Sequence, residues 1–141
     1  MNEDLALDQP ATPYRYMYSA GAEAAKWREI NKRMYEGRVS PKSVQHVVAA
    51  YYKVGFSDLI GQGRAEYIRH PRHTAIYLMR TLCVVKGCGA WKPISYQAIA
   101  AYFNRPRHTY ATHAKSAVLR RMEVNAEYKR DVNNIISLLG R

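Results

Sequence analysis

From residue 20 onward the apolar positions Ala20, Ala24, Trp27, Ile30 and Met34 recur at three- and four-residue steps, the spacing of one helical face. Gly37 stands where such a helix would end. The pattern predicts an amphipathic helix over 20–36, within an N-terminal segment 19–39 ahead of a domain covering 40–141. Ser40-Pro41 suits the next helix start, because the hydroxyl can cap free N–H groups and proline has no N–H to leave unpaired. Val44, Val47, Val48 and Tyr51 then form an apolar stripe that Gly55 ends. Ser57 is expected to cap a short turn through Ile60. The stretch GQGRAEYIRH reads as an exposed basic loop, and Pro71 as the opening of a helix in which Ala75, Leu78, Met79 and Leu82 keep core spacing. Gly87, Gly89 and Pro93 break that pattern.

Ser95 restarts it. Residues 95–103, SYQAIAAYF, predict a short helix with Ile99, Ala100 and Phe103 inward, and Asn104-Arg105-Pro106 is the turn after it. In RHTYATHAKSAVLRRM, Ala111, Ala114 and Val118 share one face while polar and basic residues fall largely elsewhere. That is the composition of a helix-turn-helix over 95–121. Asn125 can cap a last helix in which Val132, Ile135, Ile136 and Leu139 pack before Gly140. No strand, repeat or low-complexity segment is evident. The predicted class is all-α, a helical bundle with a helix-turn-helix, preceded by the N-terminal helix and, over 1–18, by a flexible arm carrying Pro10 and Pro13.

Charge narrows the choice of partner. The chain has 141 residues, 48% of them apolar, and a formal net charge of +11. Residues 1–40 hold six basic and six acidic side chains, whereas residues 41–141 hold sixteen basic and five acidic ones, so the whole excess lies in the second part. Lys and Arg that neutralise phosphates release condensed counterions, and such asymmetry points to a polyanion. The N-terminus MNEDLALDQP lacks a basic start and an apolar middle, and no apolar run approaches the ~18 residues of a membrane span. A cytoplasmic location with no membrane association is the expectation.

Two basic elements carry the candidate chemistry. In a helix-turn-helix the second helix enters the major groove N-terminus first. Here it begins with Arg107, His108, Thr109 and Tyr110, with Thr112, His113 and Lys115 one turn on, and Arg105 lies in the turn. Arg can bind guanine bidentately, His and Thr can bond bases or phosphates, and Thr or Tyr can touch the thymine methyl. The second element is the loop with Arg64 and Arg69, running into Arg72 and His73 at the predicted helix start. There free N–H groups favour phosphate, and Arg64 could reach the adjacent minor groove.

The order of these motifs over residues 43–140 resembles the C-terminal DNA-binding domain of the bacterial replication initiator DnaA. SVQHVVAAYYKVGFSDLIG is similar to that family's opening helix and turn, and HPRHTAIYLMRTL to its Arg-Pro-Arg-Gln helix start. YQAIAAYFNRPRHTYATHA resembles the signature built around Gly-Gly-Arg-Asp-His-Thr-Thr. The resemblance puts Arg64 on the family's minor-groove arginine, Arg72 on the arginine of its helix start, and His108 and Thr109 on the signature His-Thr pair. It implies sequence-specific binding of double-stranded DNA in transcription or replication control. Among the departures from the pattern, Pro106-Arg107 replaces Arg-Asp, Tyr110 replaces the second Thr, and His73 replaces Gln. Arg107 is donor-only where Asp accepts, so a site different from the family's usual box is expected. No Gly-x-x-x-x-Gly-Lys-Ser/Thr loop is present, and with this length the family's ATPase module is expected to be missing.

Zinc could draw on Cys83, Cys88, His108 and His113, but His108 and His113 lie five apart, ~140° around a helix, and do not converge. The acids after residue 40, Asp58, Glu66, Glu123, Glu127 and Asp131, are scattered, unlike a Mg²⁺ nuclease centre. Neither catalysis, cofactor nor metal is expected. Alternative readings are a nonspecific architectural DNA-binding protein, or an interaction module in which residues 20–36 bind a protein or a second copy.

Overall fold

The computed structural model describes residues 19–141, so the arm expected over 1–18 lies outside the described residues. Within them the chain forms seven helices and one hairpin: α1 Ala20–Met34, α2 Pro41–Tyr52, α3 Phe56–Leu59, α4 Glu66–Leu82, β1 Val84–Gly87, β2 Ala90–Pro93, α5 Tyr96–Tyr102, α6 His108–Val124 and α7 Ala126–Leu138. The all-α class holds. None of the described helices is long and apolar enough to cross a membrane.

Local chemistry sets most boundaries. Ser19, Ser40, Ser95 and Asn125 each accept a bond from a backbone N–H in the first turn of the following helix, and Pro41 occupies the first position of α2. The short α3 differs from expectation, because its cap is Gly55 and Ser57 makes no capping bond. One core joins α2, α4, α5, α6 and α7 through Val44, Val47, Val48, Leu78, Ile99, Phe103, Ala114, Val132 and Ile135. The small Ala111, Ala114 and Val118 bring α6 close against α4 and α5.

Three expectations change. The helix predicted from Pro71 begins five residues earlier, at Glu66, and Pro71 is buried inside α4. The stretch from Val84 to Pro93, read as breakers only, is an antiparallel hairpin pairing Val85 with Lys92 and Lys86 with Trp91. Cys88 (φ +52°) and Gly89 (φ +80°) are both left-handed, as a two-residue turn with the twist of a hairpin requires. In α1 the buried face is turned from the predicted stripe: Glu23, Ala24 and Asn31 are buried, whereas Met34 is 73% exposed. Trp27 stacks on His46 of α2 at 5.0 Å between centroids, and His46 stacks in turn on Phe56 at 4.1 Å. Trp27 thus packs on aromatic rings of the same chain, while Met34 stays exposed. Burial, with Lys42 and Lys26 nearby, lowers the His46 pKa to about 4.

Candidate nucleic-acid interface

The two helices of the helix-turn-helix, α5 and α6, are joined by a turn whose geometry the sequence dictates closely. Asn104 adopts φ +57°, the left-handed conformation that asparagine tolerates at a helix end. The Asn104 N–H then donates to Ala101 and the Arg105 N–H to Ala100, the paired bonds of a Schellman closure. Phe103 is fully buried beneath the turn.

The turn is bonded to the basic loop before α4. Asn104 Nδ2 donates to the Ile60 carbonyl at 3.1 Å, Arg105 Nη1 to the Gly61 carbonyl at 3.0 Å, and Gln62 Nε2 to the Asn104 carbonyl at 3.3 Å. Gly61 fits because a Cβ there would stand 2.8 Å from the Ser57 carbonyl oxygen. From beneath, Arg72 holds the same loop. Its Nε donates to Leu59 at 2.7 Å, Nη1 to Gly63 at 2.8 Å and Nη2 to Asp58 at 2.9 Å, all backbone carbonyls. Arg72 is 2% exposed and lies inside α4, so the expected phosphate contact at a helix start gives way to an internal role. The reason is reach: with α4 starting at Glu66, Arg72 sits in the second turn and faces the loop.

These bonds frame a cleft of about 430 Å³ lined by Gln62, Gly63, Arg64, Arg69, Arg72, His73, Arg105 and Tyr110. Arg64 is exposed at its rim and bonds to no described residue. Arg69 is paired with Glu66, whose other oxygen receives Arg121 at 3.5 Å. The Arg69 bond leads in holding the Glu66 carboxyl below its ordinary range. Burial, then Arg69 and Arg72, lowers the His73 pKa and so disfavours its charged form. The Arg105 guanidinium lies 4.6 Å over the Tyr110 ring, and the His73 ring meets that ring at a steep angle with 6.1 Å between centroids.

Along α6 the predicted residues separate. Arg107, His108, Thr109 and His113 are exposed, whereas Tyr110, Thr112 and Lys115 are half-buried. The Thr112 hydroxyl donates back to the Thr109 carbonyl at 3.0 Å, and Lys115 leans over the Tyr96 ring at 5.9 Å. Ser116 and Arg120 were not among the expected residues. They continue the exposed face of Thr109 and His113 at steps of three and four, a spacing visible in the sequence. Arg107 is the N-cap of α6 but makes no side-chain capping bond, and no acid lies in the first turn. The Ala65 cap of α4 likewise provides none. Neither helix start has a side-chain cap, and the cleft is lined by Arg64, just before α4, and by Tyr110, in the first turn of α6. Elsewhere, Cys83 is buried, its thiol pushed up to about 12, and Cys88 is exposed at the hairpin turn. Among the described residues no three His, Cys, Asp or Glu side chains are grouped to hold a metal.

Comparison with known proteins agrees with this arrangement. Residues 41–118 match the family described as the bacterial dnaA protein helix-turn-helix. The chromosomal replication initiator protein DnaA of Lactococcus lactis subsp. cremoris is 32% identical over 94 residues, 67% of this chain and 19% of that protein. Its counterpart in Acholeplasma laidlawii is 29% identical over 111 residues, 79% of this chain and 22% of its own length. That of Roseiflexus castenholzii is 37% identical over 76 residues, 49% and 15% respectively. The chain thus spans about a fifth of the length of these relatives.

Proposed function

Because the chain belongs to the bacterial DnaA helix-turn-helix family, we propose that it binds double-stranded DNA sequence-specifically, with α6 in the major groove and Arg64 in the adjacent minor groove. The observation that carries this reading is the bonding of the Arg64 loop to the helix-turn-helix turn through Asn104, Arg105 and Gln62. A minor-groove arm adds to specificity only if its position relative to the recognition helix is constrained, and these bonds tie residues 60–62 of the loop that carries Arg64 to the turn before α6. Arg107, His108, Thr109 and His113 face the base edges; Arg120 and Ser116 lie further along the same helix toward the phosphates. Arg72, Arg105 and Tyr110 act as positioning residues.

The two uncapped helix starts favour phosphates on either side of the cleft, where N–H groups and guanidinium charge act together. Arg69 takes part by exchanging its Glu66 carboxylate for a phosphate. The recognised site differs from the family's usual one, since Arg107 occupies the cap position where the signature has Asp. A bidentate arginine there selects guanine, which Asp cannot do. Such binding suits control of replication or transcription.

Selection of binding duplexes from a random pool is the test. Enrichment of one motif, lost or altered in Arg64→Ala and Arg107→Ala proteins, is the expected outcome. Equal retention of all sequences with a steep salt dependence would instead establish phosphate-driven, nonspecific binding.

A further inference from the structure

The β1–β2 hairpin has no part in the interface described above, yet it leaves the fold beside it. It enters α5 through Ile94, whose N–H donates to the Cys83 carbonyl at 3.2 Å and whose carbonyl receives Arg80 Nη1 at 2.7 Å. Arg80 also lies 4.3 Å over the Tyr96 ring, which Lys115 of α6 approaches as well. The hairpin is therefore anchored at the N-terminal end of α5, while the Arg64 loop is bonded just past its C-terminal end. Helix α5 has seven residues, a length of roughly 10 Å. Two projecting basic elements stand at opposite ends of the helix that, in this motif, crosses the DNA backbone.

The hairpin's surface is specific as to partner. A Cβ built at Gly87 or Gly89 meets nothing within 4 Å, so the tip stands clear of the described residues. Lys86 and Lys92 are exposed on opposite faces of the ribbon. The broad face of Trp91 is covered by the Arg38 guanidinium at 4.0 Å, which leaves Val85 as the exposed large apolar side chain of the hairpin. An apolar protein partner would find little to bury. Residues 67–122, which include the whole hairpin, contain ten Lys or Arg and no Asp or Glu. Arg38, which covers Trp91, is itself paired with Glu36 at 3.3 Å.

We propose that the β1–β2 hairpin is a wing, a second arm that sets Lys86 and Lys92 on the phosphates of the duplex flanking the site, on the side opposite Arg64. The wing rests on the duplex-binding reading and extends it from a core site to a longer footprint. A two-stranded ribbon is narrow enough to follow or enter a groove, and a lysine on each face lets it engage phosphates without reading bases.

The test uses the full chain and a duplex carrying its selected motif with long or trimmed flanks. In the Lys86→Gln/Lys92→Gln protein, the slope of log affinity against log salt falls by close to two, about 0.9 for each phosphate that is no longer neutralised. Hydroxyl-radical protection shortens on one side of the motif, and the motif itself is unchanged. Trimming the flank on that side weakens the wild-type protein and leaves the variant unaffected. In a Trp27→Phe background, the fluorescence of Trp91 changes with the flanked duplex and not with the trimmed one. An unchanged slope with an unchanged footprint overturns the wing, as does a changed motif, which would make the hairpin a reader of bases. If the wild-type protein binds no duplex, the underlying reading falls and takes the wing with it; binding without flank dependence removes the wing alone. Melting of the free variant at the wild-type temperature shows that the effects are not those of unfolding.

Discussion

Replacing Arg72 by alanine separates a residue that touches DNA from one that positions another. Its guanidinium makes three bonds to the Leu59, Gly63 and Asp58 carbonyls, at 2.7, 2.8 and 2.9 Å, from a side chain 2% exposed. A hydrogen bond from a charged donor contributes about 1.5–3 kcal/mol, so the three together set an upper range of roughly 5–9 kcal/mol. Two effects reduce it. Alanine relieves the desolvation cost of a buried cation, and the carbonyls around the exposed Gly63 regain water. A net loss of about 3 kcal/mol is expected, or roughly 10 °C in Tm for a chain of this size. The loop bearing Arg64 then loosens, and DNA affinity drops by the worth of one base-reading contact, about 1–3 kcal/mol. Arg72→Lys is the decisive companion, since it keeps the charge but a single ammonium cannot span three carbonyls. Urea or thermal unfolding of both free proteins, with Kd measured over a salt series, tests the assignment. Wild-type stability in both variants, joined to a salt slope one unit shallower, would refute it and restore Arg72 as a phosphate ligand.

Arg107→Asp supplies α6 with the carboxylate cap it lacks, and should stabilise the free protein by about 1 kcal/mol while weakening DNA binding and shifting the selected motif; a melt and a repeat selection measure the two effects. Asn104→Ala places a Cβ-bearing residue without asparagine's tolerance at φ +57° and removes the bond to Ile60, at a cost of about 2 kcal/mol in chemical denaturation. Gly61→Ala forces a 2.8 Å contact with a backbone oxygen; a loss of about 1–3 kcal/mol, with weaker DNA binding from the displaced Arg64 loop, is the expected result. For pH, the His46 pKa is about 4 in the fold and 6.5 in the unfolded chain, so below 6.5 the unfolded state takes up a proton that the folded state refuses. Stability is therefore complete above that value and declines as pH falls toward 4, and His46→Phe should flatten this part of the Tm profile.

What was legible in the sequence was whatever is decided within a few residues. Ser40, Ser95 and Asn125 cap the helices they precede because a short polar side chain reaches only the next turn, and Ala111, Ala114 and Val118 face inward because their spacing permits no other common side. The misreadings share one cause, a local signal with two outcomes that only tertiary contacts separate. Pro71 is compatible with a first helical position, but also with an interior one when neighbouring packing outweighs the lost bond to the Tyr67 carbonyl; burial of Pro71 and Ile68 against the core gives α4 its earlier start. Gly87 and Gly89 looked like helix breakers, yet Cys88-Gly89 between Val84-Val85 and Ala90-Trp91 is also a hairpin turn between short strands. Arg72 and Arg105 look the same in sequence as Arg64, three arginines among glycines and turns. Only the path of the 58–63 loop shows that two of them bond to carbonyls and hold the third at the edge of the cleft. The number of basic residues therefore overstates the number of phosphates and bases contacted, and the measured salt slope should fall well short of the ten Lys and Arg between residues 67 and 122.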